Sequence, residues 1–140
     1  MREWRDIACD PGLEALAGEI KTAPRHRLSG FGPGLTPAGD DFITGWASAA
    51  VMADTAEART QIGFFLKNWR PGKTTWFSKW MIIDALDGKI WKRGKDLISA
   101  LAEDDAERLT NAAGKITGWG HTSGPAWLCG FASGYLELGM

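Results

Sequence analysis

Gly39-Asp40-Asp41-Phe42-Ile43-Thr44-Gly45-Trp46-Ala47-Ser48-Ala49-Ala50-Val51-Met52-Ala53 is the stretch on which the fold turns. It is alanine-rich and free of proline, and predicts a helix from Asp40 to about Arg59. Gly45, Ala49 and Ala53 recur every fourth residue and so form one ridge of small side chains. A second ridge, Ala126, Gly130 and Gly134, lies in a helix expected from Pro125 to about Leu138. Gly45-Trp46-Ala47-Ser48-Ala49 recurs as Gly130-Phe131-Ala132-Ser133-Gly134, an offset of 85, with Gly39 matching Gly124 and Phe42-Ile43 matching Trp127-Leu128. The pattern reads either as an internal repeat or as two helices with the same packing need. In both cases the helices can cross closely and bring the loops before them to one place.

Working outward, Leu13, Leu16, Ala17 and Ile20 predict a short helix over Pro11 to Ala23, stopped by Pro24. Gln61 to Trp69 reads as another, ending at the Pro71-Gly72 turn. Thr74 or Thr75 offers an N-cap for Trp76 to Leu86, and two further helices are expected over about Gly94 to Ala102 and Asp104 to Ile116. No run alternates like a strand with hairpin chemistry. The expected fold is therefore all-α, a compact bundle of about six to seven helices in one domain over 1–140, with room only for a small sheet at the N-terminal end.

The chain is of single-domain size, and 16 basic against 17 acidic residues provide no broad attraction for a nucleic-acid backbone or an anionic membrane. Lys89, Lys92, Arg93 and Lys95 read as a solvated basic face. The longest apolar run, Trp46 to Ala53, is too short to span a bilayer, and Met1 to Asp6 lacks the apolar core of a signal peptide. Cys9 and Cys129 form neither a disulfide framework nor a zinc pattern, so a cytoplasmic location is expected. Eight tryptophans are many for this length, and Trp76 and Trp80 at helical spacing point to the core or a subunit interface.

Chemistry concentrates in two loops. Pro24 to Gly39 holds three prolines and four glycines, and Gly30 to Asp41 delivers Gly34, Thr36, Gly39, Asp40 and Asp41 to a helix start. Free amides and the helix dipole suit such a place to a small anion, phosphate or carboxylate. No Gly-Lys-Ser or Gly-Lys-Thr follows, so it is not a Walker motif. Either Thr36 caps the helix with Pro37 at its first position, or Asp40 caps a helix starting at Asp41. Adjacent aspartates diverge by about 100° on a helix, which leaves one carboxylate for a general base or, with Asp40 and Asp41 together, for magnesium. In the second loop, Gly120-His121-Thr122-Ser123-Gly124, His121 is suited to proton transfer near neutrality, with Thr122, Ser123 and Gly124 beside it. Thr74, Thr75 and Ser78 either cap their own helix or join the two loops in one oxyanion pocket. His26 reads as a surface residue.

Gly32-Pro33-Gly34-Leu35-Thr36-Pro37-Ala38-Gly39-Asp40-Asp41-Phe42, then Thr74-Thr75 and Ser78, then Gly120-His121-Thr122-Ser123-Gly124, together resemble the AllH-like family over about Leu28 to Leu138. The resemblance implies an oxamate carbamoyltransferase subunit of allantoin catabolism, working beside FdrA-like and AllG-like subunits. It implies that the loops hold carbamoyl phosphate or a similar anion, and that Asp41 or His121 assists proton transfer. Members of the family usually carry a further N-terminal portion, so this sequence looks like the C-terminal part. Where they typically have aspartate two residues after the Gly124 equivalent, Ala126 stands here, at the repeat position of Asp41. That departure favours a second expectation, a non-catalytic anion-binding or partner-docking module, with other subunits or a second copy of the chain as partner.

Overall fold

A computed structural model describes residues 24–32, 34–120 and 122–138. Among them are six α-helices, α1 (Ala38–Ala53), α2 (Ala56–Asn68), α3 (Trp76–Leu86), α4 (Lys92–Ala102), α5 (Ala106–Thr117) and α6 (Ser123–Glu137), with 3₁₀ turns at Arg25–Leu28 and Pro71–Lys73. No strand occurs among the described residues, and the expected all-helical bundle is what forms. The Pro11 to Ala23 helix lies outside the described residues. No described helix is long and apolar enough to cross a membrane.

The expected close crossing is the centre of the structure. A Cβ on Gly45 would stand 1.9 Å from the carbonyl oxygen of Trp127, and one on Gly130 would stand 1.9 Å from that of Phe42. Because the offset of 85 maps Phe42 onto Trp127 and Gly45 onto Gly130, these are one contact made once from each side. α1 and α6 thus meet backbone to backbone about a local pseudo-two-fold. The same correspondence holds at the helix starts, where Gly39 admits the carbonyl of Leu28 and Gly124 that of Ile116.

Two apolar clusters flank the crossing. On one side Phe42, Ile43 and Trp46 of α1 pack with Phe65 of α2, Ile82 of α3 and Leu28. On the other, Trp127, Leu128 and Phe131 of α6 pack with Leu97 of α4 and with Leu109, Ala113 and Ile116 of α5. Full burial of side chains such as Trp46, Phe42, Phe65 and Phe131 stabilises the fold by roughly 1.5–3 kcal/mol each before entropy is charged.

Three local expectations are corrected. The helix from Asp40 to Arg59 is two helices: Asp54 turns into the left-handed region at φ 48° and ends α1, and the Thr55 hydroxyl then caps α2 by accepting from the Ala58 amide. Neither Thr36 nor Asp40 caps α1, which starts at Ala38 behind an extended Pro37, with no side-chain cap. Proline has no N–H and a φ already suited to the helix, so the chain enters without one. Trp76 and Trp80 are not core: they are 73% and 45% exposed, because α3 packs on α1 through Ile82 and Ala85 instead.

The crossing makes a sharp prediction for two glycines in helices. Gly45→Ala should destabilise the chain by about 3 kcal/mol or more, since the new methyl meets backbone that cannot yield. Gly63→Ala, in the middle of α2 with nothing near its Cβ position, should stabilise by about 0.5–1 kcal/mol. Denaturant unfolding of both variants reads the difference, and equal effects would contradict the crossing.

Candidate functional site

Asp40 and Asp41, both in the first turn of α1, are turned to different tasks. Asp40 is fully buried and faces the loop before its own helix. Its Oδ1 accepts from the Ser29 hydroxyl at 2.9 Å, and its Oδ2 accepts from the Gly30 amide at 3.1 Å and the Thr74 hydroxyl at 2.5 Å. Ser29 in turn accepts from the Trp69 indole N–H at 3.0 Å. One carboxylate therefore ties the first loop, α1 and the segment before α3 together. Gly30 has φ 82°, and a Cβ there would lie 2.4 Å from the carbonyl oxygen of Lys73, so this seam passes only a glycine.

The expected third cluster meets the first loop. Thr75 caps α3 by accepting from the Ser78 amide and donates its own proton to the Leu35 carbonyl at 2.6 Å. The Ser78 hydroxyl also reaches that carbonyl, at 3.4 Å. The two principal loops meet as well: the hydroxyls of Thr36 and Ser123 lie 3.1 Å apart. At the helix starts the Gly39 amide donates to the Phe31 carbonyl and the Gly124 amide to that of Trp119. Gly34, at φ 92°, stands in open space, and Thr122 precedes α6 without capping it. His121 lies outside the described residues.

Asp41 points the other way, into a cleft of about 370 Å³. It is 4% exposed, and its Oδ2 is buried without a hydrogen-bond partner among the described residues. Burial pushes its carboxyl up to about 7, with the Asp40 charge acting in the same direction and the Ser123 hydroxyl beside it opposing. One and two turns on, Thr44 and Ser48 line the same wall. Thr44 donates its hydroxyl proton to the Asp40 carbonyl at 2.8 Å, and Ser48 donates to that of Thr44 at 2.9 Å, so both turn oxygen lone pairs to the cleft.

The remaining walls are aromatic. Trp91, Trp119 and Trp127 come from three separate segments, with Trp91 edge-to-face against Trp119 at 6.0 Å and against Trp127 at 5.5 Å. The Trp91 indole N–H is likewise buried without a partner among the described residues. Met81 and Asp84 of α3 and Lys89 close the rim, where Lys89 lies 3.4 Å from Asp87 and 3.9 Å from Asp84. Of the expected site residues, Asp41 and Ser123 line this cleft, while Asp40, Thr74, Thr75 and Ser78 bind the first loop instead.

Sequence reasoning missed the three tryptophans, Lys89 and Asp84. For Thr44 and Ser48 a signal existed, their helical spacing from Asp41. His26 is half-buried rather than on the surface. It is edge-on to Phe64 at 5.7 Å, with its pKa lowered by burial and by Arg27 and Arg70.

The Asp40–Asp41 pair does not fit magnesium. Both oxygens of Asp40 are committed to protein donors, and no group of three or more His, Cys, Asp or Glu side chains gathers as a metal site among the described residues.

A helical protein with a buried carboxyl, its pKa raised by desolvation, lining a cleft at the start of its first helix is what fold and site define. A family model described as oxamate carbamoyltransferase subunit AllH matches residues 28–135, and the chain belongs to that family. Comparison with curated proteins and with solved structures gave no match.

The same substitution at the two aspartates should act with opposite sign. A folded carboxyl raised from 3.8 to about 7 contributes stability that is fully present below about pH 4 and lost as pH rises through 7. Asp41→Asn should therefore flatten the fall in stability between pH 5 and 8 and stabilise the chain at pH 8, by up to about 4 kcal/mol. Asp40→Asn should destabilise by about 2 kcal/mol, because an amide NH₂ would replace an oxygen that accepts from protein donors. Thermal unfolding across pH separates them, and equal pH slopes for wild type and Asp41→Asn would show Asp41 to be solvated.

Proposed function

We propose that the chain is the carbamoyl-handling subunit of an oxamate carbamoyltransferase-type enzyme, with Asp41 as the group that takes up the proton. The observation that carries this reading is the buried Oδ2 of Asp41, unpartnered and on a carboxyl that titrates near neutrality, in the range where a general base works best. In the proposed step the amide nitrogen of oxamate attacks the carbamoyl carbon of carbamoyl phosphate. A C–N bond forms, the C–O bond to phosphate breaks with its electron pair leaving on phosphate, and the nitrogen's proton passes to the Asp41 carboxylate.

Carbamoyl phosphate, or a similar small anion, is assigned to the junction of the two loops. There Thr36 and Ser123 already face one another, and Gly34, Gly39, Thr122 and Gly124 are included in this reading as their neighbours in sequence. His121 is assigned a second proton-transfer role through its place before Thr122. Asp40, Thr74, Thr75 and Ser78 belong to this reading as the groups that hold the first loop in position.

A docking role is favoured by one separate observation. Trp76, Phe77, Trp80 and Leu66 are exposed on α3 and α2, an apolar face suited to another subunit or a second copy of the chain.

The test is formation of carbamoylated oxamate from carbamoyl phosphate and oxamate by the complex purified on a tag at this chain. Asp41→Asn should lower kcat by about 10²-fold or more, and the wild-type rate should rise with pH through about 7. An unchanged rate in Asp41→Asn leaves the docking role as the reading.

A further inference from the structure

Beyond the cleft, α3 turns to solvent a face that the described residues leave uncovered. Trp76, Trp80 and Ile83 recur at i, i+4 and i+7, opposite the buried Ser78, Ile82 and Ala85, with Phe77 on the flank. Leu66 of α2 widens this stripe, and with Trp80, Ile83 and Leu86 it lines an open groove of about 390 Å³. Trp76, Phe77 and Trp80 are 73%, 48% and 45% exposed. At about 150–250 Å² per aromatic side chain these three alone show roughly 300 Å² to water, and Leu66 and Ile83 enlarge that to a patch of the size that marks an interaction site.

The charges along this face run against the helix. The positive end of a helix dipole favours acidic side chains and the negative end basic ones. α3 has neither: no acidic residue stands in its first turn and no basic residue in its last. Lys73 just precedes the helix and Lys79 lies one turn in, with Nζ 5.4 Å from the centre of the Trp80 ring, whereas Asp84 is in the last turn and Asp87 is the C-cap residue. Lys89 reaches both aspartates only in exposed pairings, at 3.4 Å from Asp87 and 3.9 Å from Asp84, and such pairs contribute little in water. The face is thus apolar along its middle, basic at one end and acidic at the other.

Few occupants match all three parts. A phosphate backbone or an anionic membrane laid along the stripe would meet Asp84 and Asp87, and a segment of one charge throughout would oppose like charge at one end or the other. A helix of the same charge order running in reverse fits the whole length, and α3 of a second copy is such a helix. Antiparallel pairing also sets the two dipoles against one another and brings carboxylates to the start of each α3. Two copies face to face would cover roughly 600 Å² of aromatic surface, and with Leu66, Ile83 and the charged rim the contact is on the order of the 1,000 Å² that a specific interface needs.

We infer that the outer face of α3 joins two copies of this chain antiparallel about a two-fold axis, with Lys73 and Lys79 of each meeting Asp84 and Asp87 of the other. A two-fold lets one patch serve both sides, and it is the commonest symmetry of soluble oligomers. Asp84 and Lys89 line the groove and the Asp41 cleft alike, so each copy also borders the other's cleft. The inference rests on the docking role of this face and is independent of the transfer reading.

Sedimentation equilibrium of the full chain tests it, with circular dichroism to check that each variant folds. The wild type should show a monomer–dimer equilibrium that weakens with added salt. Trp80→Ser should weaken association by about thirtyfold or more. Lys73→Glu with Lys79→Glu, and separately Asp84→Lys with Asp87→Lys, should each weaken it by at least about tenfold, because like charges then face one another at both ends. An equimolar mixture of the two double variants should associate nearly as tightly as wild type, since in the mixed pair opposite charges meet at both ends again.

A monomer at every concentration up to about 0.1 mM overturns the inference. So does a dimer that Trp80→Ser leaves unchanged, or a mixture that stays as weak as its components. A monomer whose recovery with a different subunit is lost in Trp80→Ser gives the face to that subunit, so the docking role stands and the dimer falls. A monomer in which Trp76 and Trp80 resist hydroxyl-radical oxidation gives the face to residues 1–23 of the same chain and removes the docking role as well.

Discussion

The described residues are arranged around the distance between two helix backbones. At Gly45 and Gly130 each helix admits a carbonyl of the other into the space a side chain would fill. That proximity fixes where the first turns of α1 and α6 lie, and with them the loops that lead in. The hydroxyls of Thr36 and Ser123, 87 residues apart in sequence, are neighbours as a result. The cleft is therefore a property of the crossing, and its chemistry is added by the few side chains that face outward from it.

Asp40 and Asp41 show how one turn of helix serves both stability and chemistry. Asp40 spends its charge on three donors and holds the first loop against the start of α3. Asp41, one residue on, has Ser123 beside it but an Oδ2 without a partner among the described residues, and burial raises its carboxyl toward neutrality. The contrast depends on rigidity: a loosely held first loop would let water reach Asp41 and return it to an ordinary carboxyl.

Much of this was legible in the sequence, and the parts that were not share a cause. Ridges such as Gly45, Ala49 and Ala53 are local and periodic, so the helices and their close approach could be read directly. The divergence of Asp40 from Asp41 followed from helix geometry. The break after Ala53 escaped because a left-handed aspartate carries no distinctive neighbourhood; only the Thr55 cap beyond it marks a new start. Trp76 and Trp80 have the same spacing whether they face a core or solvent, and only the packing of α3 through Ile82 decides. The aromatic walls of the cleft were beyond local reading, because Trp91, Trp119 and Trp127 become neighbours through tertiary structure alone.

The near symmetry of the crossing has one further implication, through Ala126. This residue stands where the pseudo-two-fold places the counterpart of Asp41, and it is fully buried in the apolar cluster with Phe42 and Trp46. Two carboxyls at such equivalent, dry positions would each resist ionisation, and each would draw a proton from solvent as the chain folds near neutral pH. By filling one position with a methyl group the protein leaves Asp41 as the one carboxyl of the equivalent pair that takes up a proton on folding.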